Sequence, residues 1–124
     1  MTQGEAVKAY KAIIRMGNKA AGEAAFSLFR MKKQLKEIVD FQSEEEEKLI
    51  KKHGGAVTEA GQVIIVDPKE REAFLKEREE IEKMECNVAP VIIRADNIPE
   101  ITLAEIEALD GFVNFTEVES NGNE

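Results

Sequence analysis

Met16-Gly17-Asn18-Lys19-Ala20-Ala21-Gly22 decides how the first half of this chain folds. It lies inside residues 5–52, which read as helix because apolar residues recur at heptad spacing. One set is Val7, Ile14, Ala21, Leu28, Leu35 and Leu49; a second is Tyr10, Gly17, Ala24, Met31 and Ile38. Together they form a helix-pairing seam from Val7 to Ile38, which Gln42 and Glu45 interrupt before Leu49 resumes it. Ile13, Phe26, Phe29, Val39 and Phe41 widen the stripe enough to face more than one neighbour. One straight helix over 5–52 would run about 72 Å. A compact domain of this size has a radius of gyration of roughly 14 Å. Either the helix protrudes and pairs with another chain, or it breaks at the small residues. Gly disfavours a helix interior by about 1 kcal/mol, and Gly17-Asn18 suits a helix C-terminus. The same small residues would also let two helices approach closely. In the first case Val7, Tyr10, Ile14, Ala21, Ala24, Leu28, Met31, Leu35 and Ile38 are the candidate interface of a homo-oligomer.

Beyond the seam, Glu44–Glu47 reads as a solvated helix face, with Glu44–Lys48 and Glu47–Lys51 as pairs one turn apart. Lys51-Lys52-His53-Gly54-Gly55 is a helix C-terminus, with His53 placed against the negative end of the dipole. Residues 56–66 read as a β-hairpin turning at Glu59-Ala60-Gly61. Asp67-Pro68 caps and opens an amphipathic helix over 68–86, expected to lie antiparallel to the first. Residues 88–116 read as strand, helix and strand, with Thr102-Leu103-Ala104-Glu105 as a capping box and Gly111 as the stop. Residues 117–124 are expected to be a disordered tail. The fold expected is α+β and mostly α, a single domain over 1–116.

The chain has 124 residues, a net charge of −8, one Cys and one His. That excludes a disulfide framework, a cysteine-rich zinc site and a multi-histidine metal centre. No run reaches the roughly 20 apolar residues of a membrane span, and the N-terminus lacks a signal-peptide pattern, so a cytoplasmic protein is expected. The charge is uneven: residues 1–36 carry +6 and residues 37–124 carry −14. Lys8, Lys11, Arg15 and Lys19 recur three or four apart and form a candidate basic face for nucleic acid. The acidic remainder disfavours that partner, and only Tyr10 interleaves an aromatic.

Catalytic signatures are missing. There is no Gly-x-Gly-x-x-Gly, no phosphate loop and no Gly-x-Ser-x-Gly elbow. A Cys86–His53 dyad would need the fold to join two distant positions, and Cys86 is not at a helix N-terminus that would activate it. No cofactor and no catalysis are expected.

Several short runs, taken in order, carry a resemblance. They are Lys51-Lys52-His53-Gly54-Gly55, Glu59-Ala60-Gly61-Gln62-Val63-Ile64, Lys69-Glu70-Arg71-Glu72-Ala73-Phe74 and Ile98-Pro99-Glu100-Ile101-Thr102-Leu103-Ala104-Glu105-Ile106-Glu107-Ala108-Leu109. Across residues 30–115 the chain resembles a family of small proteins of unknown function encoded by phages and prophages of Gram-positive bacteria. That resemblance implies a host-cell cytoplasmic protein and transfers no residue roles; the segment before residue 26 lies outside it. The helix–hairpin–helix order is also similar to prefoldin-type chaperones, at the level of fold alone. The function expected is protein–protein contact, with a second copy or a host or phage protein as partner, as an accessory factor or inhibitor. An acidic surface able to occupy a basic nucleic-acid groove fits the latter. The alternatives are an assembly chaperone and nucleic-acid binding.

Overall fold

The computed structural model describes residues 1–17 and 19–116. In it the 5–52 stretch is two helices, α1 (Gln3–Arg15) and α2 (Gly22–Lys52), packed against each other. The break falls at the small residues, but the left-handed glycine of the turn is Gly22, at φ +62°, and not Gly17. A side chain there would be strained, which is why glycine opens α2. Helix α1 also begins earlier than residue 5. The Thr2 hydroxyl accepts from the Glu5 N–H at 3.2 Å, and the Glu5 carboxylate accepts from the Thr2 N–H at 2.8 Å. This capping box satisfies two donors that a helix start otherwise leaves open.

Folding back consumes most of the seam within one chain. Ala24, Leu28, Met31 and Leu35 of α2 are buried, as heptad spacing predicts. On α1 the buried face is Ala6, Ala9, Ala12, Ile13 and Met16. Val7 and Tyr10 are only half-buried, and Ile14 is exposed, so the face that α1 buries is rotated from the seam expected. The buried face of α1 thus carries three alanines at three-residue spacing, and larger side chains lie on its flanks.

After α2 come β1 (Ala56–Val57) and β2 (Val63–Ile64), an antiparallel pair with Ala56 opposite Ile64. Gly61, at φ +83°, turns the chain between them. Helix α3 (Pro68–Glu82) is shorter than the expected 68–86; Asp67 caps it by accepting from the Lys69 N–H at 2.9 Å. It runs back along α2, and its far end meets the chain start. There the Gln3 N–H donates to the Met84 carbonyl at 2.8 Å and the Cys86 N–H to the Met1 carbonyl at 2.9 Å.

The chain finishes with β3 (Val91–Arg94), a 3-10 turn over Ala95–Asn97, α4 (Leu103–Leu109) and β4 (Val113–Thr116). Strands β3 and β4 are parallel, with Val91 opposite Val113 and Arg94 opposite Thr116. Parallel neighbours need a crossover, which α4 supplies. Its capping box is present: the Thr102 hydroxyl accepts from the Glu105 N–H at 3.2 Å and Glu105 from the Thr102 N–H at 2.9 Å. The expected tail, 117–124, lies outside the described residues.

Two apolar cores result. The larger joins α1, the first half of α2, β3, α4 and β4, with Phe112, Met16, Met31, Leu35, Ile98 and Leu109 at its centre. The smaller holds Leu49, Ile50, Ile65 and Phe74 at the far end of α2.

Candidate interaction surface

With 24, 28, 31 and 35 turned inward, helical geometry puts 25, 29 and 32 on one flank of α2 and 26 and 33 on its back. The flank meets α1 in a groove of about 260 Å³ lined by Ile13, Ile14, Ala20, Ala25, Leu28 and Phe29. Phe26 is 62% exposed, Phe29 54% and Ile14 53%. Phe26 and Phe29 are three residues apart and therefore neighbours on the helix surface.

Cations surround this apolar face. The Arg30 guanidinium lies 5.5 Å from the Phe26 ring centre, and the Lys33 ammonium 5.7 Å from that of Phe29. Lys32 lines the groove, and Lys11 and Arg15 are exposed beside Ile14 on α1. Between Val7 and Lys36 the only acidic residue is Glu23.

The basic face expected from Lys8, Lys11, Arg15 and Lys19 is reduced to three exposed side chains. Lys19 turns inward, and its ammonium reaches the Glu105 carboxylate at 3.0 and 3.2 Å and the Glu100 carbonyl at 3.4 Å. Glu105 is only 5% exposed. Burial pushes its carboxyl up. The Thr102 N–H, the Lys19 ammonium and the Thr102 hydroxyl outweigh that and hold it below the usual carboxylate range. Lys19 thus ties the α1–α2 turn to α4. Of the nine candidate interface positions, Ala24, Leu28, Met31 and Leu35 lie in the chain's own core. Val7, Tyr10 and Ile38 are half-buried, and Ala21 and Ile14 are exposed.

His53 does more than close a helix. It is buried, with Nδ1 2.6 Å from Glu70 Oε2 and Nε2 3.2 Å from Glu77 Oε1. These carboxylates bracket opposite sides of the ring, so they do not converge with it on a point where a metal would sit. Among the described residues no His, Cys, Asp and Glu cluster suits a metal ion. Cys86 lies elsewhere, against Met1 and Thr2, with its thiol 3.5 Å from the Thr2 carbonyl and pushed up by burial. The structure does not bring it to His53. In the glutamate run, Lys51 pairs with Glu47 as expected, whereas Lys48 pairs with Glu45 instead of Glu44.

No described helix is long and apolar enough to cross a membrane. Comparison with family models, curated proteins and solved structures finds no match to the chain. The functional reading therefore rests on this chain's own geometry. Phe26 and Phe29 entered the sequence reading only as residues that widen the stripe. The signal that separates them is their offset from the 24, 28, 31, 35 spacing, together with the cations at 30, 32 and 33.

Proposed function

We propose that this chain works by protein–protein contact, without catalysis, as a small accessory or inhibitory protein of the phage-encoded type it resembles. Its binding face is the Ile14–Phe29 groove between α1 and α2, and the partner contributes an acidic, apolar segment. One observation carries the reading: two large apolar side chains, Ile14 and Phe29, stand more than half exposed in one groove of a packed helix pair, with Lys11, Arg15, Lys32 and Lys33 exposed around it. Contiguous exposed apolar surface marks interaction sites, and a one-sign rim selects partners of the other sign. The groove is lined by aliphatic carbons and suits an inserted side chain. Arg30 lies over one face of the Phe26 ring and Lys33 over one face of the Phe29 ring, so a nucleic-acid base has fewer open faces to stack on.

The test is a labelled amphipathic peptide of about four helical turns, Leu on one face and Glu elsewhere, titrated with the full chain. Saturable binding is expected, weaker at high salt and at least about tenfold weaker in Phe29→Ser. Absence of saturable binding, or equal binding by Phe29→Ser, overturns the reading. Tighter binding of a single-stranded oligonucleotide than of the peptide overturns it in favour of nucleic acid.

A further inference from the structure

Helix α4 carries the chemical complement of that face. Glu105 and Leu109 point into the protein, and Ala108 is half-buried. The outward stripe is therefore Leu103, Ile106, Glu107 and Asp110, at the spacing of one helical face. Leu103 is 71% exposed and Ile106 40%. Glu107 and Asp110 are exposed beside them, and Glu100 is exposed just ahead of the helix. Arg94 is the last basic residue of the chain, so no cation within this segment competes for these carboxylates.

Two other exposed apolar residues lie beside cations. Leu75 on α3 and Ile64 on the hairpin share a cavity of about 290 Å³ with Arg71 and Arg78. A basic face would meet its own sign there. Val57, exposed on the hairpin, lies beside Glu46 and Glu47, but it is a single aliphatic side chain and Glu47 is already paired with Lys51. Among the described residues the α4 stripe places two exposed aliphatic side chains beside Glu107 and Asp110, with Lys19 turned to the buried Glu105 on the other side of the helix.

We propose that the acidic, apolar segment that docks on the Ile14–Phe29 face is α4 of a second copy of this chain. The inference rests on the reading of that face as a protein-docking surface. Both surfaces are exposed on the same molecule, so neither satisfies the other within one chain. Each copy then has one basic acceptor and one acidic donor. Such a head-to-tail contact closes into a ring or extends as a filament. Leu103 and Ile106 enter the apolar groove, and Glu100, Glu107 and Asp110 meet Lys11, Arg15, Lys32 and Lys33 at its rim.

The experiment is light scattering of the full chain over a range of concentrations and salt. The expected mass lies above 13.9 kDa, rises with concentration and falls with salt. Phe29→Ser disables the acceptor and leaves the donor; Leu103→Ser with Ile106→Ser does the reverse. Each variant alone is expected at monomer mass, and an equimolar mixture at twice that mass. Lys32→Glu with Lys33→Glu is a second way to disable the acceptor, and unchanged thermal melting checks that each variant folds. A wild-type mass that stays at 13.9 kDa at every concentration overturns the proposal, as does assembly by either variant alone or a mixture that does not pair. Failure here with retained binding of the Leu/Glu peptide removes the second copy as partner and leaves the docking face standing. Loss of peptide binding removes both.

Discussion

The two halves of α2 are one continuous helix in two different environments. From Ala24 to Leu35 every residue of its stripe is buried against α1 and the β3–α4–β4 unit. From Gln42 onward the stripe holds polar residues until Leu49 and Ile50, which form a small core with Ile65 and Phe74, flanked by the half-buried Val63 and Ile81. The near half is held by apolar packing. Around the smaller core of the far half, polar contacts gather: His53 between Glu70 and Glu77, Lys52 to Glu77 at 3.1 Å, and Arg71 to the Ile65 carbonyl at 3.1 Å. A small core contributes less, so the far half opens at a lower free energy than the near half, although one helix runs through both. The proposed docking face lies on the near half, and its complement on α4 belongs to the same larger core, where packing holds their geometry.

Substitutions at the two ends sharpen this contrast. Leu35→Ala empties the centre of the larger core and is expected to cost about 2–5 kcal/mol, lowering the melting of the whole chain. Phe74→Ala removes the largest member of the smaller core and is expected to cost about 3–5 kcal/mol locally. Its signature is faster amide exchange over residues 50–80, with residues 28–35 still protected. A loss spread equally over both regions would break the comparison. Gly55→Ala places a Cβ 2.8 Å from the Ile65 side chain and 3.2 Å from the Ile64 carbonyl. Overpacking of that kind costs about 1–3 kcal/mol, again confined to the far half.

A smaller effect follows from pH. The folded-state pKa of Glu105 lies below its ordinary 4.5, so its stabilising part is present above that value and is lost as pH falls through the depressed one. Glu5, Glu77 and Glu79 are lowered as well, by hydrogen bonds from Thr2, Lys52 and Lys83 respectively. Wild-type stability is therefore expected to drop on acidification below about pH 4.5, and Glu105→Gln to drop less. Melting curves from neutral to acidic pH measure the difference. Equal slopes would mean that Lys19 and Thr102 do not favour the charged form. Smallest of all, Phe26→Ser on the exposed back of α2 is expected within about 0.5 kcal/mol of wild type.

The legible parts of this fold are those that local chemistry determines. The Ala24–Leu28–Met31–Leu35 stripe, the Asp67-Pro68 helix start and the Thr102–Glu105 box all read correctly. The Thr2–Glu5 box has the same pattern but precedes the first periodic apolar residue, which hid it. On α1 the reading went to the larger side chains Val7, Tyr10 and Ile14. The buried face is Ala6, Ala9 and Ala12 instead, so side-chain size does not rank burial on this helix. The break was visible as a run of small residues, but not that Gly22 takes the left-handed conformation. The partners of His53 lie 17 and 24 residues away on another helix, and only tertiary structure joins them. The exposure of Phe26 and Phe29 likewise depends on which way α2 is rotated, which α1 and β3 determine.

Residue-resolved hydrogen exchange of the intact chain tests the division of α2 most directly. The expected result is slowest exchange at Leu28–Leu35, Val91–Ile93 and Val113, through global unfolding, and faster exchange from Leu49 through α3 by local opening. Equal protection along the whole of α2, or slower exchange at its far end, would contradict it.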